Sequence, residues 1–486
     1  MTLSSARDTT GHPQPGRPQS GRPQRDRPLS GRPQRDRPLS GRPQPGRPLS
    51  GRPQRDRPQE RGALGTILGA FSVVALVGGL SLALTKLAAA SPGWGPAYDG
   101  WAAAAAGQPL AALRWFLGDM TEPLFFKSEL AAIGLLAGAV VAWWCGRRRR
   151  GLRKGLEAGS DHWGGLSYGT GLWPWVLASG MLSLLLSNLA FSKMLDGGWQ
   201  PTFVPLVCVA PAMVLMYGRG WLTCLTAAVL GVLTTTPLAL LFIPAVSVPL
   251  GLPAVVANVL AMAAGSVVAF AIARRLPWLV LRKQDPAPEA SPPPSGTNQL
   301  RAGNQLRAGN QLRSGTQLPS GNQVRAGNQL RADASWAAQR VLKDFTETHF
   351  YANGIAGLGL IAGVSIAFVL NPALPAYGSG LLPHILFAQA LTSALGIVLW
   401  RGWYRGGGWA ATYASVVSVA PATVLACNGS WQGIVGGAVL GAVLAPPIAR
   451  VVSARLPEGF HPVIGNTAAM AITTAVTVPL LGLLPS

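Results

Sequence analysis

At 486 residues the chain is 49% hydrophobic and only 12% charged, with a mean hydropathy of +0.30, a composition too apolar for a soluble globular protein of this length. A formal net charge of +22 would suit a nucleic-acid binder, but the whole excess lies in residues 1–62, 147–154 and 274–340. There it reads as the cytoplasmic loops of a membrane protein, with anionic lipid headgroups as partners and no nucleic acid.

The first 62 residues repeat units such as Gly21-Arg22-Pro23-Gln24 and Arg25-Asp26-Arg27-Pro28. With almost nothing apolar to offset chain entropy, residues 1–62 are expected to form a disordered, basic cytoplasmic tail. Residues 63–118 carry the first transmembrane helix, at 64–85, and an external loop. That helix lies behind a long polar tail, so it is expected to be the insertion signal itself and not a cleaved leader. Residues 119–283 contain apolar runs at 128–146, 172–191, 201–217, 221–243 and 254–273. Residues 284–340 open Pro-rich and pass into a six-residue period, Asn304-Gln305-Leu306-Arg307-Ala308-Gly309. One small apolar residue per unit buries too little for a β-helix, so a disordered linker is expected. Residues 341–486 contain further runs at 354–370, 382–400, 409–427, 433–450 and 462–483. All are near the length that crosses a bilayer, with 201–217 and 354–370 the shortest, and helices are the default in lipid. The fold class expected is all-α integral membrane, with about eleven transmembrane helices.

The two apolar blocks match each other. Asp119-Met120-Thr121-Glu122 with Phe125-Phe126 returns as Asp344-Phe345-Thr346-Glu347 with Phe350-Tyr351, 225 residues on. Tyr168-Gly169-Thr170-Gly171 returns as Tyr377-Gly378-Ser379-Gly380 at an offset of 209. Thr202-Phe203 and Val209-Ala210-Pro211-Ala212 return as Thr412-Tyr413 and Val419-Ala420-Pro421-Ala422 at 210, and Asn258 with Ala261-Met262-Ala263 as Asn466 with Ala469-Met470-Ala471 at 208. Each copy holds five spans, an odd number. Placing every basic cluster on the cytoplasmic side puts the N-terminus inside and Ser486 outside, and makes the copies inverted-topology repeats, an arrangement common in secondary transporters.

No catalytic constellation is visible, and neither an enzyme nor a cofactor is expected. The four cysteines, Cys145, Cys208, Cys224 and Cys427, form no CxxC pair and support neither a disulfide framework nor a metal site. Ionisable residues are nearly absent from the span interiors, which argues against a charged proton relay. Asp119, Glu122, Asp344 and Glu347 read as N-cap and first-turn acids of the spans that follow. The candidate substrate contacts are polar or helix-breaking groups in the spans: Asn258 and Asn466, Pro211 and Pro421, and Thr236-Pro237. A buried amide must face protein or water, and discontinuous helices at matching positions in two halves mark transport sites. Helix packing is the alternative use of each.

Tyr377-Gly378-Ser379-Gly380, Val419-Ala420-Pro421-Ala422 and Gly465-Asn466 with Ala469-Met470, together with their first-copy counterparts, resemble an uncharacterised family of bacterial polytopic membrane proteins with an internal duplication. The resemblance implies the bacterial inner membrane and no particular substrate. At the level of fold, five spans repeated in inverted sense is similar to urea and ammonium channels, without the signature motifs of either. The expectation is a transporter or channel for a small solute at the repeat interface; the alternative is a non-transporting membrane scaffold that recruits partners through its basic segments. Whether the chain self-associates is left open.

Overall fold

The computed structural model describes residues 57–105, 107–152, 171–191, 201–282, 321–406 and 408–484. The tail up to residue 56, the turn containing Tyr168-Gly169-Thr170, Trp199 and residues 283–320 of the linker lie outside them. Among the described residues all regular structure is helical: α1 (Arg57–Ala88), α2 (Tyr98–Ala105), α3 (Pro109–Asp119), α4 (Glu129–Leu152), α5 (Trp173–Phe191), a 3-10 stretch Pro201–Val207 followed by α6 (Val209–Tyr217), α7 (Trp221–Phe242), α8 (Ala254–Ala273), α9 (Gly321–Glu347), α10 (Gly354–Leu370), α11 (Leu382–Leu399), α12 (Arg401–Arg405), α13 (Tyr413–Val417), α14 (Val419–Ala426), α15 (Gly437–Ser453) and α16 (Val463–Gly482).

Eight of the helices are long and apolar enough to cross a membrane, and three shorter apolar ones cover Pro201–Tyr217, Gly354–Leu370 and Tyr413–Ala426. Their outward faces carry large apolar side chains, with Leu76 74% exposed, Leu189 70% and Leu233 62%. Water penalises such faces and lipid does not. The architecture is that of an all-α, multi-pass membrane protein.

Two of the short elements are broken at matching places. The chain leaves helical geometry at Cys208 (φ −139°, ψ −87°) and again at Ser418 (φ −134°, ψ −67°), 210 positions apart. Pro211 and Pro421 follow as the third residues of α6 and α14. A proline in the first turn of a helix loses a donor that has no partner there anyway, so both helices start without strain. Pro237, in contrast, lies inside the continuous helix α7.

A close backbone approach joins α4 to α10. A Cβ built on Gly134 would run into the carbonyl of Gly359, and one built on Gly359 into the carbonyl of Gly134. Gly138 meets Ile355 and Ala356, and Gly363 meets Leu130 and Ala131. As numbering rises along α4 from Leu130 to Gly138, the contacting residues fall along α10 from Gly363 to Ile355, so the helices cross antiparallel. Gly134 and Gly359 are 225 positions apart, as are Gly138 and Gly363 and the residues that these two meet, so the contact is reciprocal. Within lipid no hydrophobic effect drives helices together, and small residues that let backbones touch supply the attraction.

The linker expected over 284–340 ends earlier: Gly321–Glu347 is one helix. Its Asn, Gln and Arg content hides the spacing of Ala337, Val341 and Phe345, all fully buried. Its partner is α1, where a Cβ on Gly65 would lie 2.7 Å from the carbonyl oxygen of Leu330 and one on Gly69 would strike Ala334. An amphipathic helix needs only one apolar stripe, and a glycine face supplies the groove.

The glycine crossing generates a prediction. Gly134→Leu or Gly359→Leu should lower the thermal stability of the purified protein by an amount of about 1–3 kcal/mol or more, the cost of overpacking a filled interface. Gly79→Leu, where a Cβ meets nothing within 4 Å, should not. Equal melting temperatures for Gly134→Leu and Gly79→Leu would contradict the packing.

Candidate functional site

Each Asp-x-Thr-Glu block folds into the same turn. Thr121 Oγ1 accepts from the Ser128 N–H at 3.1 Å, and Thr346 Oγ1 from the Asn353 N–H at 3.0 Å. Each hydroxyl also donates across its turn to a carbonyl at 3.2 Å, that of Ser128 or Asn353. Phe125 and Lys127 take positive φ (66° and 41°), as do Phe350 and Ala352 (61° and 22°). Left-handed backbone costs a non-glycine residue about 1–2 kcal/mol, and these hydrogen bonds hold it in place. The N-caps of α4 and α10 are Ser128 and Asn353: the N–H of Ala131 reaches Ser128 Oγ at 3.4 Å and that of Ile355 reaches Asn353 Oδ1 at 2.8 Å.

The four acids are therefore not helix caps, which corrects the expectation drawn from the sequence. Asp119, Glu122 and Asp344 are buried and Glu347 nearly so, in two clusters of two acids around one cation. Lys127 pairs with Asp119 and, at 2.5 Å, with Glu122, and its ammonium lies 3.8 Å from the centre of the Trp115 ring. Arg340 pairs with Asp344 at 2.8 Å and with Glu347. The cation enters from opposite sides in the two clusters. The position equivalent to Arg340 is Trp115, and the one equivalent to Lys127 is Ala352. Hydroxyl donors are shared: Thr202 Oγ1 donates to Asp119 at 2.8 Å, and Thr412 Oγ1 to Asp344 at 3.0 Å. Asn188 adds a bond of 2.8 Å to Asp119, and Ser393 one of 2.6 Å to Asp344.

Two carboxylates on one cation leave one negative charge in a buried cluster. Burial pushes the Glu122 carboxyl up to about 8 against the pull of Lys127, and the Asp344 carboxyl up to about 7 against that of Arg340. Burial also pushes His349 down to about 4. Its Nε2 sits 2.5 Å from the carbonyl of Met120, which can only accept, so Nε2–H donates and ties one turn to the other. Gln389 Nε2 to the Leu124 carbonyl at 3.2 Å and the Ala376 N–H to the Phe126 carbonyl at 3.1 Å add to that junction.

A cavity of about 30 Å³ lies between the two turns, α8, α13 and α16. Its walls come in equivalent pairs from the two sequence copies: Pro123 with Thr348, Phe203 with Tyr413, Val207 with Val417, Val259 with Thr467, and Met262 with Met470. Glu122 and Asn258 also face it.

Of the residues singled out from the sequence, Asn258 is at this cavity, fully buried, and neither its Nδ2 nor its Oδ1 has a partner among the described residues. Asn466 lies one residue before the cavity wall and donates from Nδ2 to the Tyr413 hydroxyl at 3.1 Å. Asn258 has no such bond because the residue equivalent to Tyr413 is Phe203. Pro211 and Pro421 are buried in α6 and α14, away from the cavity lining, but each lacks the N–H that would serve the carbonyl four residues back. Those carbonyls belong to Val207 and Val417, both in the wall. Thr236 is not in the lining; its hydroxyl shares a 2.9 Å hydrogen bond with Ser187, and Pro237 follows it in α7. Among the described residues no three His, Cys, Asp or Glu side chains converge as a metal site would require.

Glu122 and its cluster are the functional candidates that sequence reasoning missed. The signal was present in the return of both acids, with Thr and the aromatic pair, at one offset. No known family model, curated protein or solved structure matches the chain.

The aromatic pair gives the test of this geometry. Tyr413→Phe should cost about 1–3 kcal/mol by stranding the Asn466 amide, whereas Phe203→Tyr should gain about 1 kcal/mol by giving Asn258 a hydroxyl partner. Thermal unfolding of the two variants in detergent reads both signs. A Phe203→Tyr variant less stable than the parent would contradict the equivalence.

Proposed function

We propose that the chain is a membrane transporter or channel for a small, uncharged or weakly polar solute, with its site where two inverted-topology repeats of five spans meet. The observation that carries this reading is the cavity itself. Equivalent residues of both copies wall it, and a fully buried amide with four unused hydrogen-bonding positions opens on it. A buried polar group without partners costs about 1–3 kcal/mol, which a passing solute or water would relieve. A scaffold needs no such group. One water requires roughly 10–15 Å³ by this measure, so the cavity holds a water or two, and a larger solute enters only when the copies part.

Inversion is supported by the antiparallel, reciprocal crossing of the equivalent helices α4 and α10, because a two-fold axis relating antiparallel helices lies across them. The charge placement agrees. Arg401 Nε donates to Thr66 Oγ1 at 2.6 Å, and Arg401 and Arg405 reach Asp333 at 3.5 and 3.3 Å, so these arginines gather at the end of α1 nearest the basic tail. With that end cytoplasmic, the N-terminus lies inside, eleven spans follow and Ser486 lies outside, in a bacterial inner membrane.

The function is tested by osmotic swelling of proteoliposomes in a panel of small neutral polar solutes. At least one solute should enter faster than into protein-free vesicles. Asn258→Ala should slow it about tenfold, the rate equivalent of one lost hydrogen bond of about 1.4 kcal/mol. Removing residues 1–56 should leave the rate intact. Swelling indistinguishable from empty vesicles for every solute would contradict transport, and an unchanged rate in Asn258→Ala would move the site elsewhere.

A further inference from the structure

Resting on that transport reading, we infer that Glu122 is the proton-carrying group of the cavity, and that solute movement past Asn258 is coupled to uptake and release of a proton at Glu122 Oε1.

The geometry separates Glu122 from the other three acids. Its Oε2 is held by Lys127, while its Oε1 is buried and has no partner among the described residues, on a side chain that lines the cavity. Asp119 instead receives donors from Lys127, Thr202 and Asn188. Asp344 has Arg340 and Thr412 on Oδ1 and Ser393 on Oδ2. Glu347 has Arg340 on Oε2 and the Trp409 indole N–H at 3.1 Å on Oε1, and it does not face the cavity. Only Glu122 combines an open oxygen with access to the site.

The charge count favours the same residue. Asp119, Lys127 and Glu122 carry one net negative charge, and an ionised oxygen without a donor is the costly element in a buried cluster. A proton arriving from the cavity forms one O–H bond at Oε1, leaves the Lys127–Asp119 pair intact and brings the cluster to neutrality. Release breaks that single bond. The groups around Glu122 are Tyr98 on α2, Asp119 on α3 and Lys127 on its own turn, with Thr348 on the opposite turn, Tyr377, and Tyr413 on α13 lining the same cavity; His349, next to Thr348, bonds the Met120 carbonyl. Burial lowers His349 to about 4 and raises Tyr98, so both are neutral where Glu122 titrates.

Coupling follows from the change in hydrogen-bonding sense. Ionised Oε1 can only accept, and protonated Oε1 donates. Beside an amide that offers both senses, one proton therefore changes which solute orientation the site can satisfy. By linkage, the solute must alter proton affinity by the same factor.

The test uses the full-length protein in lipid bilayers with protons as the probe. Infrared difference spectra are recorded as the pH is lowered through about 8, first without any solute. A carbonyl band of a protonated carboxylic acid should grow in near pH 8; that component should be missing from E122Q and persist in D344N, which loses only the component that grows in nearer pH 7. A wild-type spectrum that gains no such band, or a band unchanged in E122Q, overturns the assignment without reliance on any variant's activity. Proteoliposome swelling with the same solute panel is then read across the same range. The wild-type rate should change several-fold and the E122Q rate should be flat with pH. A titrating Glu122 with a pH-independent wild-type rate overturns the coupling. Absence of swelling with every solute sinks the transport reading and the coupling with it, while the infrared band still reads the proton on Glu122.

Discussion

Backbone-to-backbone contact at Gly134 and Gly359 is the constraint on which the rest depends. Neither glycine tolerates a side chain, and the reciprocal pairing fixes both the distance between α4 and α10 and their relative direction. Once these two helices are locked, the turns that precede them are brought close enough for His349 to bond Met120 and for Gln389 to bond Leu124. Those turns, with the ends of α3 and α9 that lead into them, carry the acids of both clusters. The cavity is the space left where the turns, α8, α13 and α16 cannot close completely. Packing in lipid depends on shape more than on apolar area, so one pair of glycines can position a site formed by residues far from them in sequence.

Equivalent positions do not make equivalent chemistry. Both clusters place two acids on one cation, yet Lys127 follows its acids and Arg340 precedes them. Both copies place an asparagine early in their last helix, yet the Tyr413 hydroxyl accepts from Asn466 Nδ2 where Phe203 offers Asn258 nothing. Each difference falls on the same half: the first copy has the amide with neither end partnered and the unpartnered Glu122 oxygen, while in the second copy Asn466 leaves only its Oδ1 without a partner among the described residues. A pseudo-symmetric frame thus presents an asymmetric set of hydrogen-bonding groups to one cavity, which is what selective binding of a small polar molecule needs.

Much of the frame was legible in the sequence, because hydropathy directly reports the length of chain that lipid will accept. The run at 254–273 became the helix Ala254–Ala273, and that at 221–243 became Trp221–Phe242 followed by a π-helical turn. Asn258 was legible because a polar amide inside an apolar run stands out, and Pro211 and Pro421 because proline marks a break, which the chain makes three residues earlier. Helix α9 was not legible: its polar composition masks a single buried stripe that only the glycine face of α1 explains. The acids were misread because a sequence window sees them only as the flank of a span, whereas the chain folds that flank back into the protein. Phe203 and Tyr413 align well as aromatic rings, yet the one oxygen by which they differ decides which asparagine is left open at both ends of its amide.

The proposed inverted arrangement is measured most directly by labelling single cysteines at two equivalent positions, Arg147 at the end of the apolar part of α4 and Pro372 just beyond α10, in a background without the four native cysteines. Intact cells and inverted vesicles are exposed to a membrane-impermeant maleimide. Inverted copies require opposite outcomes, with position 147 labelled only from the cytoplasmic side and position 372 only from the outside. Labelling of both positions from the same side would mean that the copies face the same way, and the transport site proposed on their inversion would fall with it.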